Sequence, residues 1–293
     1  MQSIKNWLMA FRPKTLTACL VPIITATALV RALKLDLDIW VVVLSLFASF
    51  FIQIGTNLVN DAVDFKKGAD TEKRIGPQRV TQSGLFTYKQ VMAAAGICFM
   101  LAVLCGIPLV IKGGIPILVI GILSVLMGYA YTMGPIPLAY FGLGDLFVIL
   151  FFGLVAVMGV FFLHTKEWDF QSFWLGLQIG FHATVLIAIN NLRDADGDRE
   201  VNKKTLAVRF GKSFARYEIA FLCLAPFVMN YYWWSYGLKA AALISLLALP
   251  LALLVSKNIF RTEPGSVYNK FLGQSALLHL LFGLLLSLGF FIE

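Results

Sequence analysis

The sequence predicts an all-α, polytopic membrane protein: nine transmembrane helices around a central cavity, capped by loops on the cytoplasmic side. Three observations carry this. Hydrophobic residues make up 59%, charged residues only 14%, and the mean hydropathy is +0.81, well outside the range of soluble globular chains. Apolar runs near the ~20 residues that a bilayer crossing needs recur at about 15–32, 39–59, 91–110, 114–133, 145–163, 172–192, 217–236, 238–255 and 271–291. When the run ends are assigned to alternate sides, all of the 24 Lys and Arg residues fall on one side except Arg31, Lys34, Lys112, Lys166 and Lys239.

Cationic residues concentrate on the cytoplasmic side of membrane proteins. The N-terminus and the two long connections, about 60–90 and 193–216, therefore read as cytoplasmic and the C-terminus as outside, in a bacterial-type cytoplasmic membrane. An even number of spans would mix the two sets. The net charge of +8 follows from such loops, which also favour anionic lipid, and does not indicate a nucleic-acid surface. The four cysteines, Cys19, Cys98, Cys105 and Cys223, fall within apolar runs without metal-ligand spacing and read as small apolar residues. Residues 1–293 read as one transmembrane domain, with a first acidic half to about 133 and a second from about 134.

In chain order, Trp7 to Lys14 reads as an amphipathic entry on the membrane surface, with Pro13 suited to the first turn of a helix. The basic patch followed by Leu16–Val30 also resembles a secretory signal. Arg12 and Lys14 read as positive-inside anchors that can still face a cytoplasmic site. The second run ends in Asn57-Leu58-Val59-Asn60-Asp61-Ala62-Val63-Asp64, where Asn57 and Asp61, and Asn60 and Asp64, lie four apart and share helix faces. Carboxylates at mid-membrane cost ~2.5–3.5 kcal/mol on insertion scales, so Asp61 and Asp64 belong at the interface or in a hydrated cavity. The loop 65–80 reads either as a solvated connector or as an anion-binding flap of Lys and Arg.

Runs three and four lead to Tyr129-Ala130-Tyr131, where a tyrosine serves as an interfacial anchor or a phosphate contact. Gly142-Leu143-Gly144-Asp145 opens run five, with Asp145 a favourable partner of the helix dipole. His164, Lys166, Glu167 and Asp169 fall on the outer side and receive no role. His182 and His279 read as interior residues. The run from about 173 to 189 closes in Asn190-Asn191-Leu192-Arg193-Asp194-Ala195-Asp196-Gly197-Asp198, where Asn190, Asp194 and Asp198 form a second row at four-residue spacing. Aligning Asn57 with Asn190 pairs Asp61 with Asp194, whereas aligning Asn57 with Asn191 pairs Asp64 with Asp198, so the register of an internal duplication stays open.

Mg²⁺ prefers octahedral oxygen and takes only one or two protein carboxylates, with water and phosphate filling the rest. Two separated Asp/Asn clusters thus suit one or two Mg²⁺ bridging to a diphosphate, which becomes a good leaving group. A lipid-soluble prenyl diphosphate fits such a polar end, and aromatic walls would shield an allylic cation. A transporter is the alternative from another class, since intramembrane carboxylates also mark ion pathways.

Asn60-Asp61-x-x-Asp64 followed by Lys67-Gly68-x-Asp70, and Asn190-Asn191 before Asp194-x-x-x-Asp198, resemble the two aspartate-rich motifs of the UbiA superfamily of intramembrane aromatic prenyltransferases. Gly76-Pro77-x-Arg79, Tyr131-Thr132-x-Gly134-Pro135, Gly142-Leu143-Gly144-Asp145 and Lys203-Lys204-Thr205-Leu206-Ala207-Val208-Arg209 resemble its 1,4-dihydroxy-2-naphthoate branch. The resemblance covers nearly the whole chain. It implies that Asn60, Asp61 and Asp64 bind one Mg²⁺ and Asn190, Asp194 and Asp198 another, with the four aspartates of these sets catalytic. It implies further that Asn57, Lys67, Arg74, Arg79, Tyr131 and Lys203 lie on the diphosphate side. The implied substrates are a polyprenyl diphosphate and dihydroxynaphthoate; 4-hydroxybenzoate, homogentisate or a chlorin are alternative acceptors. The superfamily often has another Asp four residues after the position of Asp64; here Gly68 stands there, which leaves the role of Asp70 open.

Overall fold

The computed structural model describes residues 2–68, 75, 76, 79–130, 132, 133 and 140–293, and all its secondary structure among them is helical. Arg74 and Tyr131, with Asp70, lie outside the described residues. Helix α1 (Gln2–Phe11) is anchored by Trp7, which stacks on Phe86 with ring centroids 4.1 Å apart. Arg12 then turns the chain in the left-handed region (φ 52°) and α2 (Pro13–Ala32) begins on Pro13, where a missing N–H costs nothing. Asp38 caps α3 (Ile39–Lys66) by accepting from Trp40 N–H at 2.9 Å. Thr87 and Gln90 form a capping box at the start of α4 (Tyr88–Gly113), and α5 (Ile115–Ala130) follows.

The next crossing is composite: α6 (Gly144–Val148), a π-helical stretch over Ile149–Val155, and α7 (Ala156–Thr165). Within the π stretch Gly153 meets α8 (Phe170–Arg193) where that helix carries Gly176 and Gly180; a Cβ on Gly153 would lie 2.4 Å from the Gly176 carbonyl oxygen. Small residues permit this close helix approach, as is common inside membranes. The chain continues through α9 (Ala195–Glu200), α10 (Leu206–Tyr236, broken at Gly211), α11 (Lys239–Ile244), a 3₁₀ turn, α12 (Leu249–Arg261) and α13 (Tyr268–Ile292). Helix α8 packs on the π stretch, α10 and α13, and α2 packs on α13, so the main apolar core joins the N-terminal span to the second half of the chain.

All nine expected runs fall on helices, but only seven helical stretches, counted among the described residues, are long and apolar enough to cross a membrane. The described helix α5 has 16 residues. Helix α10 has sufficient length, but Asn230 and Tyr231-Tyr232-Trp233-Trp234 dilute its hydropathy. The helices also outrun the apolar runs. Helix α3 continues to Lys66 and so carries the whole first acidic cluster, as its four-residue spacing implies. Exposed Ile97, Met100, Leu104, Ile111 and Leu126 on α4 and α5 give those helices a lipid-compatible surface. His182 and His279 are buried, with His182 Nε2 3.1 Å from the Cys223 carbonyl, and all four cysteines are free.

Candidate active site

Both acidic clusters occupy the C-terminal ends of long helices, α3 and α8. That end is the negative pole of a helix, so carboxylates there raise local negative potential unless cations answer it. The structure brings both ends to one cavity of about 1250 Å³, lined by Asn57, Asn60, Asp61 and Asp64 from the first and by Asn190, Asp194 and Asp198 from the second. The remaining wall is largely apolar. Val103, Ile107, Leu118 and Ile122 line the cavity and are also exposed, so it reaches the outer surface between α4 and α5.

Individual side chains in the first cluster have distinct tasks. Asp61, 1% exposed, accepts from the backbone N–H groups of Val80 (3.2 Å) and Thr81 (3.0 Å). Both its oxygens therefore tie the turn after Arg79 to α3. The motif implies a ligand role for Asp61; the structure adds an anchoring role, whose cause is the pair of otherwise orphaned amides opposite it. Asn57 donates to the Phe11 carbonyl (3.1 Å) and Thr15 Oγ1 (3.0 Å), binding α3 to the start of α2. Asn60 Oδ1 accepts from Arg79 Nη2 (2.8 Å) and Arg12 Nη2 (3.2 Å), while its amide donates to Thr132 Oγ1 (3.0 Å). Arg79 also stands 3.9 Å from Asp64 Oδ2. Lys67 donates to the Thr132 carbonyl (2.7 Å), lies over the Tyr140 ring and is not part of the cavity wall.

In the second cluster helix α8 gives way to α9 at Asp194, so the expected uninterrupted helix does not form. One-turn spacing survives nonetheless, through Asp194 N–H to the Asn190 carbonyl (3.0 Å) and Asp198 N–H to the Asp194 carbonyl (2.8 Å). Arg193, buried, grips Asp194 in a two-pronged ion pair (2.8 and 2.7 Å) and donates to Asn269 Oδ1 (2.6 Å). Asn269 in turn donates to the Ile75 carbonyl (3.0 Å), linking α13 to the segment after the first cluster. Asp198 Oδ1 accepts from Lys203 Nζ at 3.3 Å. Its buried Oδ2 has no hydrogen-bond partner among the described residues. Burial raises the Asp198 pKa above the ordinary carboxylate value, with Asp194 adding to the shift and Lys203 opposing it.

The donor set is all oxygen, as a hard divalent cation requires. Among the described residues no three His, Cys, Asp or Glu side chains gather closely enough to hold an ion unaided. Carboxylates divided between two helix ends fit an ion that completes its shell with phosphate and water, and the unpartnered Asp198 Oδ2 is an available ligand. From sequence Arg12 reads mainly as an anchor and Asp145 as a dipole partner; both line the cavity. The Asn191 amide donates to Asp145 Oδ2 at 3.3 Å, a contact between run five and run six that sequence spacing could not reveal. Glycine at 142 has a physical reason: its φ is +73° and a Cβ there would lie 2.4 Å from the Lys204 carbonyl oxygen, while Lys204 N–H donates to the Tyr140 carbonyl (2.9 Å).

Residues 19–286 match the UbiA prenyltransferase family. The chain belongs to that family. It is 32% identical to a 1,4-dihydroxy-2-naphthoate octaprenyltransferase of Haemophilus influenzae over 99% of this chain and 97% of the relative. Proteins of the same description in Escherichia coli K12 (34% identity; 98% and 95% coverage) and Bacillus subtilis 168 (31%; 96% and 91%) are similar. Among solved structures, a UbiA homologue from Aeropyrum pernix K1 superimposes with a TM-score of 0.71 at 16% identity, covering 95% of this chain and 97% of that one. A homologue from Archaeoglobus fulgidus bound to GPP and Mg²⁺ gives 0.61 at 17% identity, covering 96% and 99%. The likeness to these two structures is one of fold. The prenyltransferase thus carries its acidic helix ends in an all-helical membrane scaffold shared with both homologues.

Proposed function

We propose that this prenyltransferase transfers a polyprenyl group from polyprenyl diphosphate to 1,4-dihydroxy-2-naphthoate, releasing diphosphate and CO₂ and forming demethylmenaquinol. The observation that carries the reading is the convergence of both Asp/Asn clusters on one cavity with an apolar wall reaching the outer surface between α4 and α5. The acceptor rests on the three naphthoate octaprenyltransferases that match nearly end to end. Mg²⁺ dependence is supported by the GPP- and Mg²⁺-bound homologue of the same fold and by the oxygen donors present here. The site lies on the cytoplasmic side of a bacterial-type cytoplasmic membrane, with the C-terminus outside, on the distribution of Lys and Arg.

In this reading Asp64, Asp198 and Asn190 would hold Mg²⁺, which would draw electron density from the diphosphate and improve it as a leaving group. Asn60 and Asp194 present further oxygens, now shared with Arg12, Arg79 and Arg193. Arg12, Arg79 and Lys203 line the cavity and neutralise phosphate charge, and Asp61 positions Arg79. The prenyl C1–O bond breaks with its electron pair leaving on diphosphate, and the electron-rich naphthoate ring attacks C1. Phe147 and Phe151, stacked with centroids 4.4 Å apart, line the cavity and offer ring faces to the allylic cation. The tail extends along the apolar wall towards lipid between α4 and α5.

The test is purified protein in detergent or vesicles with Mg²⁺, a series of polyprenyl diphosphates, and dihydroxynaphthoate beside 4-hydroxybenzoate and homogentisate. A product mass equal to prenylated, decarboxylated naphthoquinol, lost on chelation, is expected. Product from another acceptor alone would reassign the substrate, and no prenylated product with any pair would defeat the proposal.

A further inference from the structure

Asp145 opens α6 and is 4% exposed, yet it lines the reaction cavity. Its Oδ2 is held by Asn191 at 3.3 Å. Its Oδ1 is buried without a hydrogen-bond partner among the described residues; its own backbone N–H hydrogen-bonds to the carboxylate group, and the Lys203 ammonium acts on it electrostatically. Buried carboxylate oxygens in folded proteins are ordinarily paired, so an unpaired one in a reaction cavity points to a ligand that brings a donor. A prenyl diphosphate brings none and repels a carboxylate. An aromatic acceptor with ring hydroxyls does bring one. Immediately beyond Asp145, the stacked Phe147 and Phe151 rings supply a flat apolar wall of the same cavity, suited to a planar ring system.

We propose that Asp145 seats the aromatic acceptor, its Oδ1 accepting the ring hydroxyl next to the carbon that receives the prenyl group. The inference rests on the naphthoate reading above. For loss of CO₂ to restore aromaticity, the new C–C bond forms at the carbon bearing the carboxylate. As that bond forms and the prenyl C–O bond breaks, the neighbouring hydroxyl becomes a carbonyl and its proton passes to Asp145 Oδ1. When the C–CO₂ bond breaks, its electron pair returns to the ring, the carbonyl oxygen takes the proton back from Asp145, and the carboxylate is regenerated. Asn191 is the positioning residue that keeps Oδ1 turned to the acceptor.

The experiment compares wild type with Asp145→Asn and Asn191→Ala, using dihydroxynaphthoate and its derivative methylated on the hydroxyl beside the carboxylate. Asp145→Asn is expected to lower kcat by about a hundredfold or more, the range of a lost general base, while Mg²⁺-dependent binding of prenyl diphosphate stays within about twofold. Retained donor binding shows that the variant is folded. Asn191→Ala is expected to raise acceptor KM with a smaller effect on kcat, and wild type is expected to leave the methylated acceptor untouched. An Asp145→Asn enzyme within about threefold of wild type, or ready turnover of the methylated acceptor, overturns this inference alone. A variant that loses donor binding as fully as turnover assigns Asp145 to the scaffold and overturns it too. A wild type that prenylates no dihydroxynaphthoate removes both this inference and the reading beneath it.

Discussion

Asp61→Asn separates the two roles open to the first acidic cluster. In the structure Asp61 receives two backbone N–H groups, at 3.2 and 3.0 Å, inside a site where it is 1% exposed. An asparagine keeps one acceptor and turns an NH₂ towards the second amide. One hydrogen bond to a charged acceptor, about 1.5–3 kcal/mol, is then lost, the other weakens to about 1 kcal/mol, and a buried N–H left unpaired adds about 1–3 kcal/mol. Burying a neutral amide in place of a carboxylate offsets part of this, leaving a net cost of about 2–4 kcal/mol. At about 2–4 °C per kcal/mol for a domain of this order, melting should fall by roughly 4–16 °C. Thermal unfolding in detergent, followed by dye binding or by size exclusion after heating, reads this directly. Donor KM should rise as well, since the turn that Asp61 holds begins at Arg79. Asp64→Asn is the internal comparison: Asp64 lies 3.9 Å from Arg79, and its substitution should abolish turnover while leaving the Val80 and Thr81 amides anchored on Asp61. Unaltered melting in Asp61→Asn, together with activity lost as completely as in Asp64→Asn, would refute the anchoring role and return Asp61 to the metal.

Asp198→Asn should lower Mg²⁺-dependent turnover by about a hundredfold or more while leaving the metal-free protein as stable or more so, because an unpaired buried oxygen has been relieved of charge; activity and melting of the same preparation check both. The raised Asp198 pKa has a pH signature. Between the ordinary carboxylate value and the raised one, the folded protein holds a proton that the unfolded chain has released, so metal-free stability falls as pH rises through that window. Mg²⁺ affinity gains over the same window, because binding needs the carboxylate ionised, and titration calorimetry across it should show proton release. Arg12→Ala should raise donor KM about tenfold with a smaller change in kcat, since Arg12 lines the cavity and contacts Asn60 Oδ1 at 3.2 Å; steady-state kinetics over donor concentration tests it. Gly142→Ala forces φ +73° on a residue with a side chain and drives its Cβ to 2.4 Å from the Lys204 carbonyl. It should destabilise by about 1–3 kcal/mol or more, seen as a lower melting temperature.

Much of the site was legible because the chemistry needs polar residues in a chain that is otherwise apolar. Asn57, Asn60, Asp61 and Asp64 on one helix, and Asn190, Asp194 and Asp198 at the end of another, stand out against hydrophobic surroundings, and both rows reach one cavity as expected. Four-residue spacing said which side chains share a helix face; it did not say what stands opposite. Asp61 facing two loop amides and Asn191 on Asp145 are decided by packing between segments separated in sequence, and Arg193, although adjacent to Asp194, is also held by Asn269 on α13. The motif position of Lys67 places it on the diphosphate side, and it does not reveal that the ammonium donates to the Thr132 carbonyl. Periodicity also undercounts helix length where the apolar signal fades but the helix continues, as at 60–66 in α3.

Asn269 stitches the last helix to both halves of the site. Its amide oxygen accepts from Arg193 and its amide nitrogen donates to the carbonyl of Ile75, so a single side chain on α13 bridges the end of α8 and the segment that follows α3. The second acidic cluster and the connection leaving the first are fastened to one helix by one amide, and a substitution at 269 releases both attachments at once.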